Sequence, residues 1–266
     1  MLDKYYFGKV DRISPEAPVP IVNIQKEESR LGGASNVANN IVSLGGHSLL
    51  CGVIGHDLFG KEIERISRHK NIDTFLLKTS SPTITKARII GGKQQIVRVD
   101  YEDKSELNAD NKKLFRDTIS RILPEYDILV ISDYGKGLIS EDLCRYLIKL
   151  AHKYDKKVII DPKGKNWEKY SGADIVTPNV KELSDIVGYT VPNTDRAIEK
   201  AAREAITNNH LTALLVTRSD KGMSLIGPIP PIHIPTHSEE VFDVSGAGDT
   251  VVATLGLCLA AGFEIS

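Results

Sequence analysis

Residues 243–255 read Asp-Val-Ser-Gly-Ala-Gly-Asp-Thr-Val-Val-Ala-Thr-Leu, a spacing that sets an anion cradle beside a carboxylate. Gly246, Ala247 and Gly248 precede Asp249, and an apolar run suited to a buried helix follows. Ser245 can cap that helix. Glycine permits the tight turn in which consecutive N–H groups converge on one spot. A helix N-terminus adds partial positive charge there. Phosphoryl transfer to an alcohol needs both parts. Donors neutralise charge on the transferred group, and a base orients the attacking hydroxyl and takes its proton. From this stretch alone, a glycine-rich helix start whose Asp249 complements the dipole is the plainer alternative.

Other phosphate loops are excluded. Gly92-Lys93, Gly135-Lys136 and Gly164-Lys165 lack both the earlier glycine and the following hydroxyl of the Walker pattern. The dinucleotide pattern fails at Val251, where its third glycine should stand.

Three more stretches stand in order along the chain: Leu31-Gly32-Gly33-Ala34-Ser35-Asn36-Val37-Ala38, Thr177-Pro178-Asn179-Val180-Lys181-Glu182 and Val216-Thr217-Arg218-Ser219-Asp220-Lys221-Gly222. With the stretch at 243–255 they resemble the signatures of the PfkB (ribokinase-like) sugar kinases. Residues 12–20, 132–137 and 161–164 are similar to the branch of that family acting on D-glycero-D-manno-heptose 7-phosphate. The resemblance implies an α/β, ribokinase-like fold: a mostly parallel sheet flanked by helices on both faces, with a small β-strand lid. It implies a single kinase domain over 1–266, with lid segments near 10–30 and 80–102. The implied reaction is ATP-dependent phosphorylation of the anomeric hydroxyl to give the 1,7-bisphosphate, toward ADP-heptose and lipopolysaccharide core, with Mg²⁺ as cofactor. A homodimer through the lid and a cytoplasmic location follow from the same resemblance. The alternatives are a kinase of another sugar or sugar phosphate, or a catalytically silent binding protein. Family members place an apolar strand before a segment like residues 1–3 and helices beyond the signature helix. The resemblance therefore implies a chain shortened at both ends.

By resemblance, Asp249 is the base. An aspartate of ordinary pKa, about 4, is ionised and can take the proton late in the transfer. Gly246, Ala247 and Gly248 donate N–H bonds to the γ-phosphate. Asn179 and Glu182, three apart, share one face of a first helical turn. They suit hydrated Mg²⁺ or an N-cap with a capping box, and the two are compatible. Gly32, Gly33 and Asn36 open a helix where a sugar can approach the backbone; Asn36 offers donor and acceptor. Tight packing of that helix on a sheet is the alternative. Asp3 matches a family position that takes sugar hydroxyls. The second phosphate of such a substrate calls for cations: Lys136 and Lys163 after strand ends, Arg88 and Arg98 in the lid. A solvated charge is their alternative. Thr217, Arg218 and Gly222 would line the nucleotide phosphates.

The elements that must position these residues alternate. Strands are expected at 49–53, 128–131, 157–160, 174–176 and 213–217. Helices are expected at 34–44, 58–68, 109–122, 140–154, 180–187 and 196–208. Such alternation argues for a mostly parallel sheet, with ligands beyond the carboxyl ends of its strands. Residues 16–25 and 83–100 read instead as short antiparallel strands outside the main sheet.

Composition narrows the classes. The 266 residues carry 34 basic and 35 acidic side chains, a net charge of −1. Neither a nucleic-acid nor a membrane surface is indicated. No apolar run approaches the ~20 residues that span a bilayer, and no leader pattern opens the chain. Cys51, Cys144 and Cys258 are far apart and odd in number. They suit small buried hydrophobes in a reducing compartment rather than disulfides or a metal site.

Overall fold

A computed structural model of the chain describes residues 1–103, 105–236 and 246–264. It divides into two compact units, Met1–Ser105 and Glu106–Ser266. Among the described residues, no helix is long and apolar enough to cross a membrane.

The first unit holds β1 (Leu2–Ile13), β2 (Pro20–Leu31), α1 (Ala34–Ser43), β3 (Leu49–Gly55), α2 (Leu58–His69), β4 (Asp73–Thr79), β5 (Thr85–Gly91) and β6 (Gln94–Tyr101). β3 and β4 are parallel neighbours joined through α2, a βαβ unit. Asp57 closes the β3–α2 turn: its carboxylate accepts from the Gly60 N–H, the Thr83 N–H and the Thr83 hydroxyl, each at 2.7 Å. Leu2, Leu31, Ala38, Leu50, Ile54 and Ile63 form the core beneath.

The other four strands form a sheet in the order β2-β1-β5-β6. The antiparallel pairing expected around 16–25 and 83–100 is present. The first strand of the set, β1, was not foreseen; it runs parallel to β5, so this sheet is mixed. Its charged and aromatic residues give weak alternation, and β5 lies some eighty residues away, so no local turn announces the pairing.

The second unit holds α3 (Ala109–Ile122), β7 (Ile128–Ser132), α4 (Glu141–Lys153), β8 (Lys157–Asp161), β9 (Ile175–Val176), α5 (Val180–Val187), α6 (Asp195–Asn209), β10 (Ala213–Thr217), β11 (Met223–Ile226), β12 (Ile232–Ile234) and α7 (Ala247–Ala260). The sheet order is β12-β11-β10-β9-β8-β7. β7 to β10 are parallel, and β11 and β12 add antiparallel strands at one edge. Val158, Ile159, Ile160, Ala213, Leu214 and Val216 are fully buried, as expected of parallel strands covered on both faces. α4 turns Leu143, Cys144, Leu147, Ile148 and Ala151 inward at helical spacing. Ser140 caps it, accepting from the Leu143 N–H. On α7, a Cβ at Gly256 would touch Val130 and Ile159 at 3.6 and 3.8 Å, so this helix lies directly over β7 and β8. All six expected helices and five expected strands are present, with ends shifted by two residues or fewer.

Two glycines show different demands on the backbone. Gly188 and Gly222 both have φ of 80°. Gly188 has open space where a Cβ would stand, whereas at Gly222 it would lie 2.0 Å from the Ile234 carbonyl oxygen. Gly188→Ala should cost about 1 kcal/mol, the strain of a left-handed alanine. Gly222→Ala should cost about 3 kcal/mol or more, because backbone must move as well. Urea unfolding of both variants checks this; equal losses would contradict the close approach.

Candidate active site

The expected site residues fall in both units, and each group has its own geometry. In the first unit, Asp3 on β1 and Arg88 on β5 form an ion pair at 2.5 Å. Gly32 permits Asp3 to sit where it does: a Cβ there would lie 2.1 Å from Asp3 Oδ2. Gly33, with φ of 58°, is the N-cap of α1. The Asn36 N–H donates to the Gly33 carbonyl in the first turn. Arg98 stands opposite Arg88 across β5 and β6 and is bound by both carboxylate oxygens of Asp100. Lys86, not weighed in the sequence, is the residue of β5 in register with Asp3. Burial lowers its pKa, and Asp3 opposes that shift.

In the second unit, Lys136, Lys163, Asn179, Glu182, Thr217, Arg218 and Gly222 lie at or just after the carboxyl ends of β7, β8, β9 and β10, where doubly wound sheets bind ligands, and Gly246 to Asp249 open α7. α7 opens with Gly246 at its N-cap, φ 82°, and no side-chain cap. Ser245, the expected cap, lies outside the described residues. The first bond of the helix runs from the Thr250 N–H to the Gly246 carbonyl. The N–H groups of Ala247, Gly248 and Asp249 therefore precede its ladder. Asp249 is buried in that first turn. The Tyr134 hydroxyl donates to Asp249 Oδ1 at 3.2 Å. Burial, then the charges of Asp249 and Asp161, push the Tyr134 phenol far above its ordinary range, so it remains a donor.

Asn179 and Glu182 form a complete capping box on α5. The Asn179 side chain accepts from the Glu182 N–H at 2.9 Å, and Glu182 Oε2 accepts from the Asn179 N–H at 3.1 Å. Glu182 Oε1 takes a third bond, from Lys163 Nζ at 3.0 Å. Lys163 thus leans onto the Asn179/Glu182 corner, while half-buried Lys136 follows Gly135 in the loop after β7. Thr217 closes β10 against the loop before α5, its N–H donating to the Pro178 carbonyl at 2.8 Å.

Arg218 is 3% exposed. Its guanidinium donates to Asn193, Asp195 and Ser224, with His233 beside it. The expectation that Arg218 lines nucleotide phosphates meets a guanidinium taken up by protein partners. Gly222 serves the same corner, its carbonyl accepting from the Arg218 N–H at 2.8 Å.

The sequence reading passed over two carboxylates. Asp133 is 3% exposed and gathers the Gly135 N–H, Lys169 Nζ and the Tyr170 hydroxyl at 2.5–2.7 Å. Asp161, the last residue of β8, has its pKa pushed up to about 7 by burial, then by Glu182 and Asp249, against Lys163. Both stand at the ends of expected strands, a signal that could have found them. Among the described residues, no three His, Cys, Asp or Glu side chains converge to hold a metal directly.

The pattern of the pfkB family carbohydrate kinases matches residues 5–266. The bifunctional protein HldE of Haemophilus influenzae (strain PittEE) is 46% identical over 264 residues, covering 98% of this chain and 54% of that protein. HldE of Paramagnetospirillum magneticum is 42% identical over 265 residues, with the same coverage. The chain spans about half the length of the curated relatives it matches. Among solved structures, phosphofructokinase-2 from Escherichia coli superposes with a TM-score of 0.81 at 22% identity, covering 99% of this chain and 84% of that one. Arabidopsis thaliana ribokinase, complexed with ribose and ATP, gives 0.75 at 20%, with 99% and 84% covered. Those two likenesses establish a ribokinase-like α/β fold. With the ordered motifs and the match over 5–266, the chain belongs to the pfkB family of carbohydrate kinases.

Proposed function

We propose that this chain is an ATP-dependent kinase acting on the anomeric hydroxyl of D-glycero-D-manno-heptose 7-phosphate. The observation that carries the substrate is the likeness to HldE proteins at 41–46% identity across 98% of the chain. The chemistry rests on Asp249, buried in the first turn of α7, whose opening N–H groups precede the helix ladder. Asp249 would accept the proton of the attacking hydroxyl. The N–H groups of Ala247 and Gly248 would hold the transferred phosphoryl group, where each such donor is commonly worth 10²–10³ in rate. Thr217 and Gly222 border the nucleotide side, with Arg218 holding that corner together. Asp3, Gly32, Gly33 and Asn36 would meet sugar hydroxyls. Arg88, Arg98, Lys136 and Lys163 would supply charge for the sugar's phosphate.

The residues fit a hydrated divalent cation. Burial, then the charges of Glu182 and Asp249, pushes the Asp161 pKa up to about 7, and a cation would relieve the part that is repulsion. Asn179 and Glu182 spend oxygens on the capping box and on Lys163. They would hold Mg²⁺ through its waters, which it sheds reluctantly. When bound, the ion neutralises charge on the phosphates. The whole of 1–266 as one kinase domain belongs to this proposal, supported by the family match over 5–266. So does a cytoplasmic homodimer through the four-stranded sheet. Exposed Ile13, Val97, Val99 and Tyr101 on that sheet, with exposed Val19 in the turn between β1 and β2, support the dimer.

Turnover of heptose 7-phosphate against fructose 6-phosphate tests the assignment. The heptose should lead by at least tenfold in kcat/KM, and Asp249→Asn should lower kcat by about 10²–10⁴. Preference for the hexose would overturn the substrate, and an active Asp249→Asn would overturn the base.

Lys136→Ala and Lys163→Ala should separate the two cations. Loss of a charge-assisted bond to phosphate, about 1.5–3 kcal/mol, should raise KM for the heptose phosphate roughly tenfold or more. A shift in KM for ATP instead would move that lysine to the nucleotide side.

Asp161 also sets a pH dependence of stability. Its folded pKa, about 7, is above the ordinary carboxylate value. The unfolded chain releases this proton from about pH 4 upward while the folded one retains it, so stability falls as pH rises across that window. Asp161→Asn should therefore be more stable than the parent at pH 8, by roughly 4 kcal/mol for about three pKa units, and converge with it near pH 4, as urea unfolding at the two pH values would show. A gap independent of pH would contradict this.

A further inference from the structure

We infer that Tyr134 is a positioning residue for phosphoryl transfer, acting through the carboxylate of Asp249. The inference rests on the reading of Asp249 as base and goes beyond it. Tyr134 follows β7, and its hydroxyl reaches Asp249 Oδ1 at 3.2 Å. The loop that carries it is not free to move. Asp133, one residue earlier, is buried and bonded to Lys169, Tyr170 and the Gly135 N–H. Its own N–H donates to the Asp161 carbonyl. Tyr134 thus stands on a fixed base and reaches across to the first turn of α7.

A carboxylate that acts as base needs one oxygen aimed at the acceptor hydroxyl. Rotation about the terminal carboxyl bond is soft, so a buried aspartate at a helix start can present either oxygen. A donor fixed on Oδ1 biases the carboxylate toward one orientation about that bond. Asp161 and Glu182 add negative charge on the same side, and Lys163 opposes them. A phenol can donate there without adding a charge of its own. Tyr134 would not touch the sugar; its work is geometric.

Tyr134→Phe removes the hydroxyl and keeps the ring. Kinetics with heptose 7-phosphate and ATP should show kcat about tenfold lower, both KM values within twofold of the parent, and an unchanged melting temperature. Tyr134→Phe in an Asp249→Asn background should then lower the residual rate no further, because the oriented group is already gone. Unchanged kcat in the single variant would overturn the inference. So would a raised KM as the main effect, or independent losses in the double variant. The Asp249→Asn variant alone reports on the base: if it stays active, the function reading fails. If it is inactive while Tyr134→Phe matches the parent, only the positioning role fails.

Discussion

The buried carboxylate of Asp133 is the constraint on which the second unit's candidate site depends. Burying a charge is costly unless it is paired and hydrogen-bonded. Asp133 meets that condition with a lysine, a phenol and a backbone N–H. Each partner comes from a segment that would otherwise be a loose loop. Lys169 and Tyr170 bring the chain after β8 back to β7, and the Gly135 N–H fixes the turn that follows. Tyr170, fully buried, gives its hydroxyl hydrogen to Asp133 and accepts from the Lys163 N–H. One carboxylate therefore sets the loops bearing Tyr134, Lys136 and Lys163. Removing it would take the acceptor from the half-buried Lys169 ammonium and the closest acceptor from the Tyr170 phenol.

Around this anchor the unit concentrates negative charge. Asp161, Glu182 and Asp249 come from a strand end, a helix N-cap turn and a glycine-rich helix start, and burial, then the charges of the other two, raises the pKa of Asp161. Perturbed carboxylates gather where chemistry is done. The parallel strands explain the convergence, since their carboxyl ends all open on the same side.

Much of this was legible in the sequence, and the remainder was hidden for physical reasons. Helix ends were readable because caps are local: Ser140, Asn108 and Asp57 each accept from an N–H three residues on. The capping box of Asn179 and Glu182 was readable for the same reason. β1 was hidden because its partner in β5 is remote, and β12 because three residues carry too little pattern. Within the site, the glycines and Asp249 announce themselves by spacing. Arg218 does not announce its enclosure, since Asp195 and His233 lie 23 and 15 residues away. Asp133 and Asp161 were seen as letters of a motif; their weight comes from neighbours that only folding supplies.

The network around Arg218 has a polarity. Arg218 donates to the Ser224 hydroxyl, and in the tautomer with its hydrogen on Nε2, His233 accepts from Ser224 at Nδ1 and donates to Glu199. With a neutral imidazole, every hydrogen in this series has an acceptor and every acceptor a hydrogen. The series joins β10, β11, β12 and α6 in one direction only, from cation to anion. Reversing a single link would set two donors or two acceptors face to face. The short strand β12 is thereby keyed to its neighbours by hydrogen-bond direction as well as by register. Substitutions at 199, 218, 224 and 233 should consequently be tolerated in matched sets rather than one at a time.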